Sequence, residues 1–178
     1  MEGGGVWHTG AVDFEELYER FRRPVWRLAR RLAGSEEEAF DLCQEIFLRA
    51  WRGLPGFRGE AQLSTWVFQI AWNHLRAHRK RQSRRGEAPV DSAGDARVVL
   101  EQLRDPRPDP ERGAAAAEAL ALVAAALARL PEHFRVVVWL RDSEGLSYEQ
   151  IATVLGVPVG TVRSRLARAR ALLRTVVG

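Results

Sequence analysis

Apolar residues recur at intervals of three and four along most of the chain, which is the period of an α-helix. In the first half this pattern predicts three helices, over residues 13–32, 36–51 and about 63–81. The apolar side of the first helix consists of Phe14, Leu17, Phe21, Val25 and Leu28. Ser35 is placed to cap the second helix, with Glu38 at the capping-box position. A Gly- and Pro-rich loop, GLPGFRG at 53–59, precedes the third helix.

The second half of the chain is also helical. Residues 114–130 are strong helix formers, Pro131 ends that helix, and residues 132–141 predict another. Between the halves lies a segment rich in Arg, Asp, Glu, Pro and Gly, with little periodicity apart from a short stretch at 98–103. We therefore predict an all-α fold of two small helical domains joined by a flexible linker. The predicted boundaries are an N-terminal tail at 1–12, a first domain at 13–82, the linker at 83–113 and a second domain at 114–178.

The segment 147–170, SYEQIATVLGVPVGTVRSRLARAR, predicts a helix-turn-helix. Ser147 and Gln150 form the Ser-x-x-Gln capping box, Gly156 and Pro158 turn the chain, and Thr161 starts the second helix. The apolar stripe of that second helix is narrow and consists of Val162, Leu166, Ala169 and Leu173. Its opposite face carries small residues and arginines, namely Arg163, Ser164, Ala167, Arg168, Ala171 and Arg174. A solvated basic face is the alternative, but the capped partner helix and the turn favour a helix that lies in the DNA major groove.

Basic residues are segregated, although the net charge is small. The chain has 27 Lys and Arg against 23 Asp and Glu, a formal charge of +4. Two stretches contain no acid: residues 61–86 hold six basic residues and residues 150–178 hold five. The rest of the chain is therefore acidic, with 16 basic residues (27 − 11) against all 23 acids, a net of −7. Two basic segments in an otherwise acidic chain indicate a nucleic-acid partner.

A second nucleic-acid surface is predicted on the helix that starts at Leu63. On a helical wheel Trp72 points away from the apolar side, and the residues around it are Phe68, Gln69, Asn73, Arg76 and Arg79. An exposed Trp beside cations suits stacking on unpaired bases, whereas the alternative is that Trp72 packs against another helix of its own domain. The preceding loop, with Phe57 and Arg58, could close over a flipped base.

Three segments resemble bacterial group IV sigma factors of the extracytoplasmic-function (ECF) type. They are DLCQEIFLRAW (41–51), FRGEAQLSTWVFQIAWN (57–73) and LPEHFRVVVWLRDSEGLSYEQIATVLGVPVGTVRSRLARAR (130–170). The resemblance covers roughly residues 13–85 and 114–174. It implies two helical domains, called regions two and four. It also implies binding to core RNA polymerase, through the β′ clamp helices and the β subunit, and recruitment of that enzyme to promoter DNA.

The resemblance also assigns residues to surfaces. The polymerase-binding surface falls on Asp41, Gln44, Glu45 and Leu48. Opening of the −10 promoter element falls on the loop 59–64 and on Trp66, Phe68, Gln69 and Asn73, to which the wheel adds Arg58, Trp72, Arg76 and Arg79. Recognition of the −35 element falls on Arg163, Ser164, Ala167 and Arg168, with Thr161 beside them and Arg165 and Arg174 on phosphate. Either Arg163 or Arg168 is the expected bidentate guanine contact.

Three residues depart from the family pattern. Phe40 stands where the family usually has an acid, so contacts beside the polymerase-binding surface are expected to differ. Cys43 occupies a position that is usually aliphatic; we expect a buried thiol there, with redox sensing as the alternative. Trp72 replaces a residue that is commonly basic or small, so its stacking role comes from the wheel and not from the family.

Other function classes find little support. His74 and His78 are spaced to bind zinc, but no carboxylate or thiol pattern near them in the sequence completes a site, and His74 falls on the buried side. We expect no catalytic residues, metal or cofactor. A DNA-binding regulator of the response-regulator type is the rival, although residues 1–110 lack the βα alternation of its receiver domain.

The single cysteine and the absence of a signal pattern or an apolar span predict a cytoplasmic protein. An anti-sigma factor is the expected regulator, and the only expected route to a membrane.

Overall fold

The computed structural model describes residues 12–86 and 122–177, with side chains up to residue 174. In the first range the helices are α1 (Phe14–Leu32), α2 (Glu36–Gly53) and α3 (Leu63–Arg84), with a single 3-10 turn at Leu54–Gly56. In the second range they are α4 (122–129), α5 (Glu132–Val138), α6 (Tyr148–Leu155) and α7 (Val159–Val177). The segment Trp139–Ser143 continues α5 as a π-helical turn. Neither range contains a strand, so the fold is all-α as predicted.

The observed helices differ from the predicted ones mainly at their ends. α2 runs two residues past the predicted end at 51, and α3 continues to Arg84, so residues 83 and 84 are helical and not part of a linker. The remainder of the predicted linker, the tail before Val12, and most of the helix predicted at 114–130 lie outside the described residues. Helix ends are the part of a sequence pattern that periodicity defines least well.

The N-terminal unit, residues 12–86, is a three-helix bundle in which each helix packs against the other two. Ser35 caps α2 as predicted, because its Oγ accepts a hydrogen bond from the Glu38 N–H at 3.1 Å. The Glu38 carboxylate reaches back to the N–H of Gly34 rather than to that of Ser35. The three helices enclose an apolar core with Leu17, Val25, Ile46, Val67 and Phe68 near its centre.

The C-terminal unit, residues 122–177, contains the predicted helix-turn-helix in α6 and α7. Its capping box is complete: the Gln150 N–H donates to Ser147 Oγ at 3.2 Å, and the Ser147 N–H donates to Gln150 Oε1 at 2.6 Å. Gly156 ends α6 at φ 65°, a left-handed conformation that costs glycine little and a branched residue much. The predicted stripe of α7 is buried at Val162, Leu166 and Ala169.

The two units pack directly against each other, and their apolar cores form one cluster. α3 of the N-terminal unit lies along α6 of the C-terminal unit. We call this contact the seam. At its centre the Phe68 and Trp139 rings meet edge to face, with centroids 5.4 Å apart. At its rim Arg27 Nη2 lies 2.9 Å from Glu144 Oε1, and Arg79 pairs with Glu132.

Two buried indole N–H groups reduce the stability of the seam. The Nε1–H groups of Trp72 and Trp139 are enclosed and have no hydrogen-bond partner among the described residues. A buried donor without a partner costs about 1–3 kcal/mol. The seam therefore gains from apolar burial but loses part of that gain at its two largest side chains.

The buried thiol of Cys43 gives a first prediction. Burial raises the pKa of Cys43 to about 12, so at pH 8 only about one molecule in ten thousand carries the reactive thiolate. We expect the folded chain to react with a disulfide reagent such as 5,5′-dithiobis(2-nitrobenzoate) at least a hundredfold more slowly than free cysteine. The same chain in guanidinium should react at the free-cysteine rate. Fast reaction of the folded chain would restore the redox alternative.

Candidate functional site

The exposed face of α7 is the first candidate surface. Arg163, Ser164, Ala167, Arg168 and Arg174 are exposed, whereas Thr161 and Arg165 are half-buried. The buried stripe fixes this helix to the C-terminal unit, and Arg170 Nη2, 3.1 Å from Asp142 Oδ1, ties it to the π-helical turn. The surface therefore consists of small side chains bordered by arginines, as the sequence predicts, on a helix anchored to the C-terminal unit.

The candidate −10 surface on α3 differs from its prediction. Trp72 is 9% exposed and Phe68 is 1% exposed, so the prediction that Trp72 points into solvent is wrong. Trp72 lines a small cavity whose other walls come from both units. Those walls are Leu28, Arg31, Leu32, Glu132, Arg135 and Val136. The alternative interpretation, packing against helices, is the observed one, but the helices include α5 of the other unit as well as α1.

The remaining predicted −10 residues divide into exposed and covered groups. Arg58, Asn73 and Arg76 are exposed, and Trp66 is half-buried. Gln69 is half-buried and donates from Nε2 to the Thr153 carbonyl of α6 at 3.5 Å, while Arg79 is held by Glu132. A helical wheel could not predict this division. It represents the period of a single helix, whereas Gln69 and Arg79 are covered by a segment that is distant in the sequence.

Trp66 is positioned by the loop that precedes its helix. Its ring lies 5.1 Å from that of Phe57, centroid to centroid, and 3.1 Å from the place where a Cβ on Gly53 would be. A side chain at 53 would therefore push against the ring. Gly59, in the same loop, has φ 73° and so adopts a backbone conformation that other residues rarely take.

The polar face of α2 is the third candidate surface. Asp41, Gln44, Glu45 and Leu48 are all exposed, Leu48 by 50%. Beside them an apolar groove of about 890 Å³ runs between α1 and α2, and Gln44 and Leu48 line it. Phe40 and Trp51 also line this groove and are each 56% exposed. The groove was not predicted from the sequence, although Phe40, Leu48 and Trp51 recur at helical spacing and could have signalled it.

Carboxylates of α2 meet the two histidines of α3. His74 Nε2 lies 3.1 Å from Glu45 Oε2, a contact whose angles do not make a hydrogen bond, and His78 Nε2 lies 2.5 Å from Glu38 Oε1. These carboxylates were not predicted as neighbours of the histidines, because Glu38 and Glu45 belong to a different helix. Across the described ranges no three His, Cys, Asp or Glu side chains gather into a group that could hold a metal ion.

Comparison with known proteins identifies both units. Residues 17–85 match the family model Sigma-70 region 2, and residues 120–173 match Sigma-70, region 4. The RNA polymerase sigma-H factor of Pseudomonas aeruginosa is 39% identical over 159 residues, which cover 88% of this chain and 82% of that protein. The ECF RNA polymerase sigma-E factor of Haemophilus influenzae is 36% identical over 166 residues, 92% of this chain and 87% of that protein.

Two solved structures share the fold. One is the sigma factor RpoE of Bartonella quintana in complex with the anti-sigma factor NepR, with a TM-score of 0.66, 23% identity, and coverage of 92% of this chain and 96% of that one. The other is CnrH in complex with the cytosolic domain of CnrY, with a TM-score of 0.58, 26% identity, and coverage of 91% and 85%. None of the described helices is both long and apolar enough to cross a membrane.

His74 gives a pH prediction. Burial lowers the pKa of His74, the Arg49 charge lowers it further, and Glu45 acts in the opposite direction. Because the pKa is lower in the folded chain than in the unfolded one, stability is fully present above about pH 6.5 and falls as the pH drops below that value, by at most about 1.4 kcal/mol per unit. Urea unfolding at pH 7.5 and pH 5.5 measures this loss. The loss of stability between the two pH values should be smaller in His74→Asn and unchanged in His133→Gln. Equal losses in both variants would show that His74 is not responsible.

Proposed function

The chain belongs to the ECF RNA polymerase sigma factors, and we propose that it binds core RNA polymerase through α2 and reads the −10 and −35 promoter elements through α3 and α7. The observation that carries this proposal is the exposed, arginine-bordered face of α7 in a capped helix-turn-helix, in a chain whose other unit matches Sigma-70 region 2. We propose the domain boundaries 13–84, 85–113 and 114–178; the first domain extends two residues past its predicted end at 82 because α3 runs to Arg84.

Recognition of the −35 element requires α7 in the major groove. Its small residues, Ser164 and Ala167, let the helix approach base edges closely, and Arg163 or Arg168 beside them has the fork geometry that binds guanine O6 and N7. Arg165, half-buried at the side of the helix, and Arg174, near its C-terminal end, are the residues proposed to bind phosphate, which fixes the register without reading sequence. Thr161 contributes at the first turn of the helix.

Opening of the −10 element involves α3 and the loop before it. Trp66, Asn73 and Arg76 are reachable from solvent, and Arg58 projects from the loop. Phe68, Gln69, Trp72 and Arg79 become available to single-stranded DNA only when the seam is open. Trp72 is then an aromatic surface beside Arg76, the combination that stacks on an unpaired base and neutralises its phosphate.

Binding to polymerase falls on the polar face of α2 and the adjoining groove. The carboxylates of Asp41 and Glu45 suit a basic partner, and the groove beside Leu48 suits apolar side chains. A helical hairpin with basic and apolar residues, such as the β′ clamp helices, meets both requirements, and the β subunit is the expected second contact. All catalysis is then the polymerase's, since this protein positions the enzyme and the promoter.

Control by an anti-sigma factor is part of the proposal. The RpoE and CnrH structures are complexes with NepR and with the cytosolic domain of CnrY. Phe40, Leu48 and Trp51 form an exposed apolar surface of the kind that protein partners cover. We place the protein in the cytoplasm, where core polymerase and its promoters are.

In vitro transcription tests the function directly. Core RNA polymerase with this protein, on a library of randomised promoters, should initiate at a shared two-part motif that is absent without the protein. The rival regulator would instead bind its own DNA site tightly and alone, with no polymerase-dependent initiation, and that result would overturn the proposal.

Reversal of one charge on α2 tests the polymerase surface. Glu45→Arg should weaken binding to core polymerase at least tenfold, because it presents a positive charge to a basic partner, and should leave the thermal unfolding midpoint within a few degrees. Glu16→Arg makes the same charge change at an exposed position of α1 and should bind polymerase normally. Normal binding by Glu45→Arg would remove this residue from the interface.

Substitution of Arg168 and of Arg174 on α7 should have different effects on promoter recognition. Arg168→Ala should reduce initiation about tenfold to a hundredfold and relax base preference at one −35 position, the loss expected for a bidentate base contact. Arg174→Ala should weaken binding to all sequences alike, with a shallower salt dependence. Promoter selection repeated with each variant gives both measurements, and unchanged preference in Arg168→Ala would move the base contact to Arg163.

A further inference from the structure

We propose that His74 is a positioning residue for the polymerase-binding surface: when its imidazole takes up a proton, it draws the Glu45 carboxylate against α3 and withholds it from core polymerase. The inference rests on the proposed role of Glu45 in binding polymerase. It goes beyond that role, because it makes one side chain of the surface depend on a histidine that is enclosed behind it.

The Glu45 side chain stands between solvent and the interior of the N-terminal unit. It is 57% exposed, yet its Oε2 atom lies 3.1 Å from His74 Nε2. By rotation about its own side-chain bonds, a carboxylate in this position can turn outward to a basic partner or inward to the imidazole. Glu45 is therefore available to either partner, and the stronger of the two interactions decides its direction.

His74 has a polar atom that is enclosed but not satisfied. Its side chain is only 4% exposed, and Nε2 has no hydrogen-bond partner within the described part of the chain. A buried polar atom without a partner is costly, and a buried charge without one is costlier still. The protonated imidazole therefore attracts the Glu45 carboxylate more strongly than the neutral imidazole does.

The other carboxylate of α2 that meets α3 cannot take the place of Glu45. Glu38 pairs with His78, and it also accepts hydrogen bonds from Gln82 and from the N–H of Gly34. Its side chain is 21% exposed, much less than that of Glu45. Glu38 is thus committed to holding α2 against α3, whereas Glu45, two helical turns further along α2, is free to change its partner.

The charged groups around His74 decide the pH at which the change occurs. They are Glu45 and Arg49 of α2, and His78 and Arg81 of α3 itself. Burial lowers the pKa of His74 and Arg49 lowers it further, Glu45 raises it, and Arg81 and His78 act with Arg49. The imidazole is therefore neutral at pH 7.5, where Glu45 is free for polymerase, and takes up its proton only below about pH 6.5. Since the Glu45 carboxylate stabilises that proton, a polymerase that engages Glu45 favours its release.

Nuclear magnetic resonance of the free chain tests the contact without polymerase. A pH titration of isotope-labelled protein follows the His74 ring and the Glu45 carboxyl carbon, and the two signals should move together. Glu45→Gln should lower the pKa of His74 further, because it removes the charge that raises it. Glu16→Gln makes the same change at an exposed position of α1 and should leave the His74 pKa as it is. An unaltered His74 pKa in Glu45→Gln would contradict the proposal.

Binding to core RNA polymerase, measured at pH 7.5 and at pH 5.5, tests the consequence. The wild-type affinity should fall about threefold to tenfold at the lower pH, a modest coupling between two groups. His74→Gln places an amide N–H near the Nε2 position but takes up no proton, so the ratio of its two affinities should be close to one. His133→Gln removes an exposed histidine of α5 and should keep the wild-type ratio.

Circular dichroism at both pH values shows whether each chain is folded, and His74→Asn replaces His74→Gln if the longer amide is not accommodated. Equal affinity ratios in the wild type and in the folded His74 variant would rule out control of polymerase binding by this histidine. A wild-type chain that binds no polymerase at either pH would overturn the proposed function, and this control with it, even where the titration shows the contact between His74 and Glu45. The two ideas therefore fail in different measurements.

Discussion

Phe68 is the side chain on which the arrangement of the whole molecule depends. It is 1% exposed and meets two other aromatic rings edge to face: Phe21 of α1, with centroids 5.9 Å apart, and Trp139 of the C-terminal unit, with centroids 5.4 Å apart. The first contact belongs to the core of the N-terminal unit, and the second belongs to the seam. One ring therefore contacts both hydrophobic cores, and edge-to-face geometry makes both contacts favourable.

The helix that carries Phe68, α3, has three sides with different surroundings. One side packs into the three-helix bundle, a second side meets the carboxylates of α2 through His74 and His78, and a third side carries the residues proposed to read DNA. A helix with so broad a buried surface has little amphipathic contrast. Trp72 and Phe68 are large aromatic residues proposed to bind bases. In water they would form an exposed apolar patch unless another part of the protein covered them. The C-terminal unit provides that cover.

The sequence predicted well the features that depend on local rules. Helix period, the Ser35 and Ser147 caps and the Gly156 turn involve neighbouring residues, and each of them is present in the fold. The exposed face of α7 follows from the period of one helix. The family resemblance placed α2 residues on a surface that is in fact exposed, whereas their contact with polymerase is still a prediction. The prediction that Trp72 is exposed failed because residues about sixty positions away cover it. Neither helical period nor motif spacing carries information about residues so distant in the sequence.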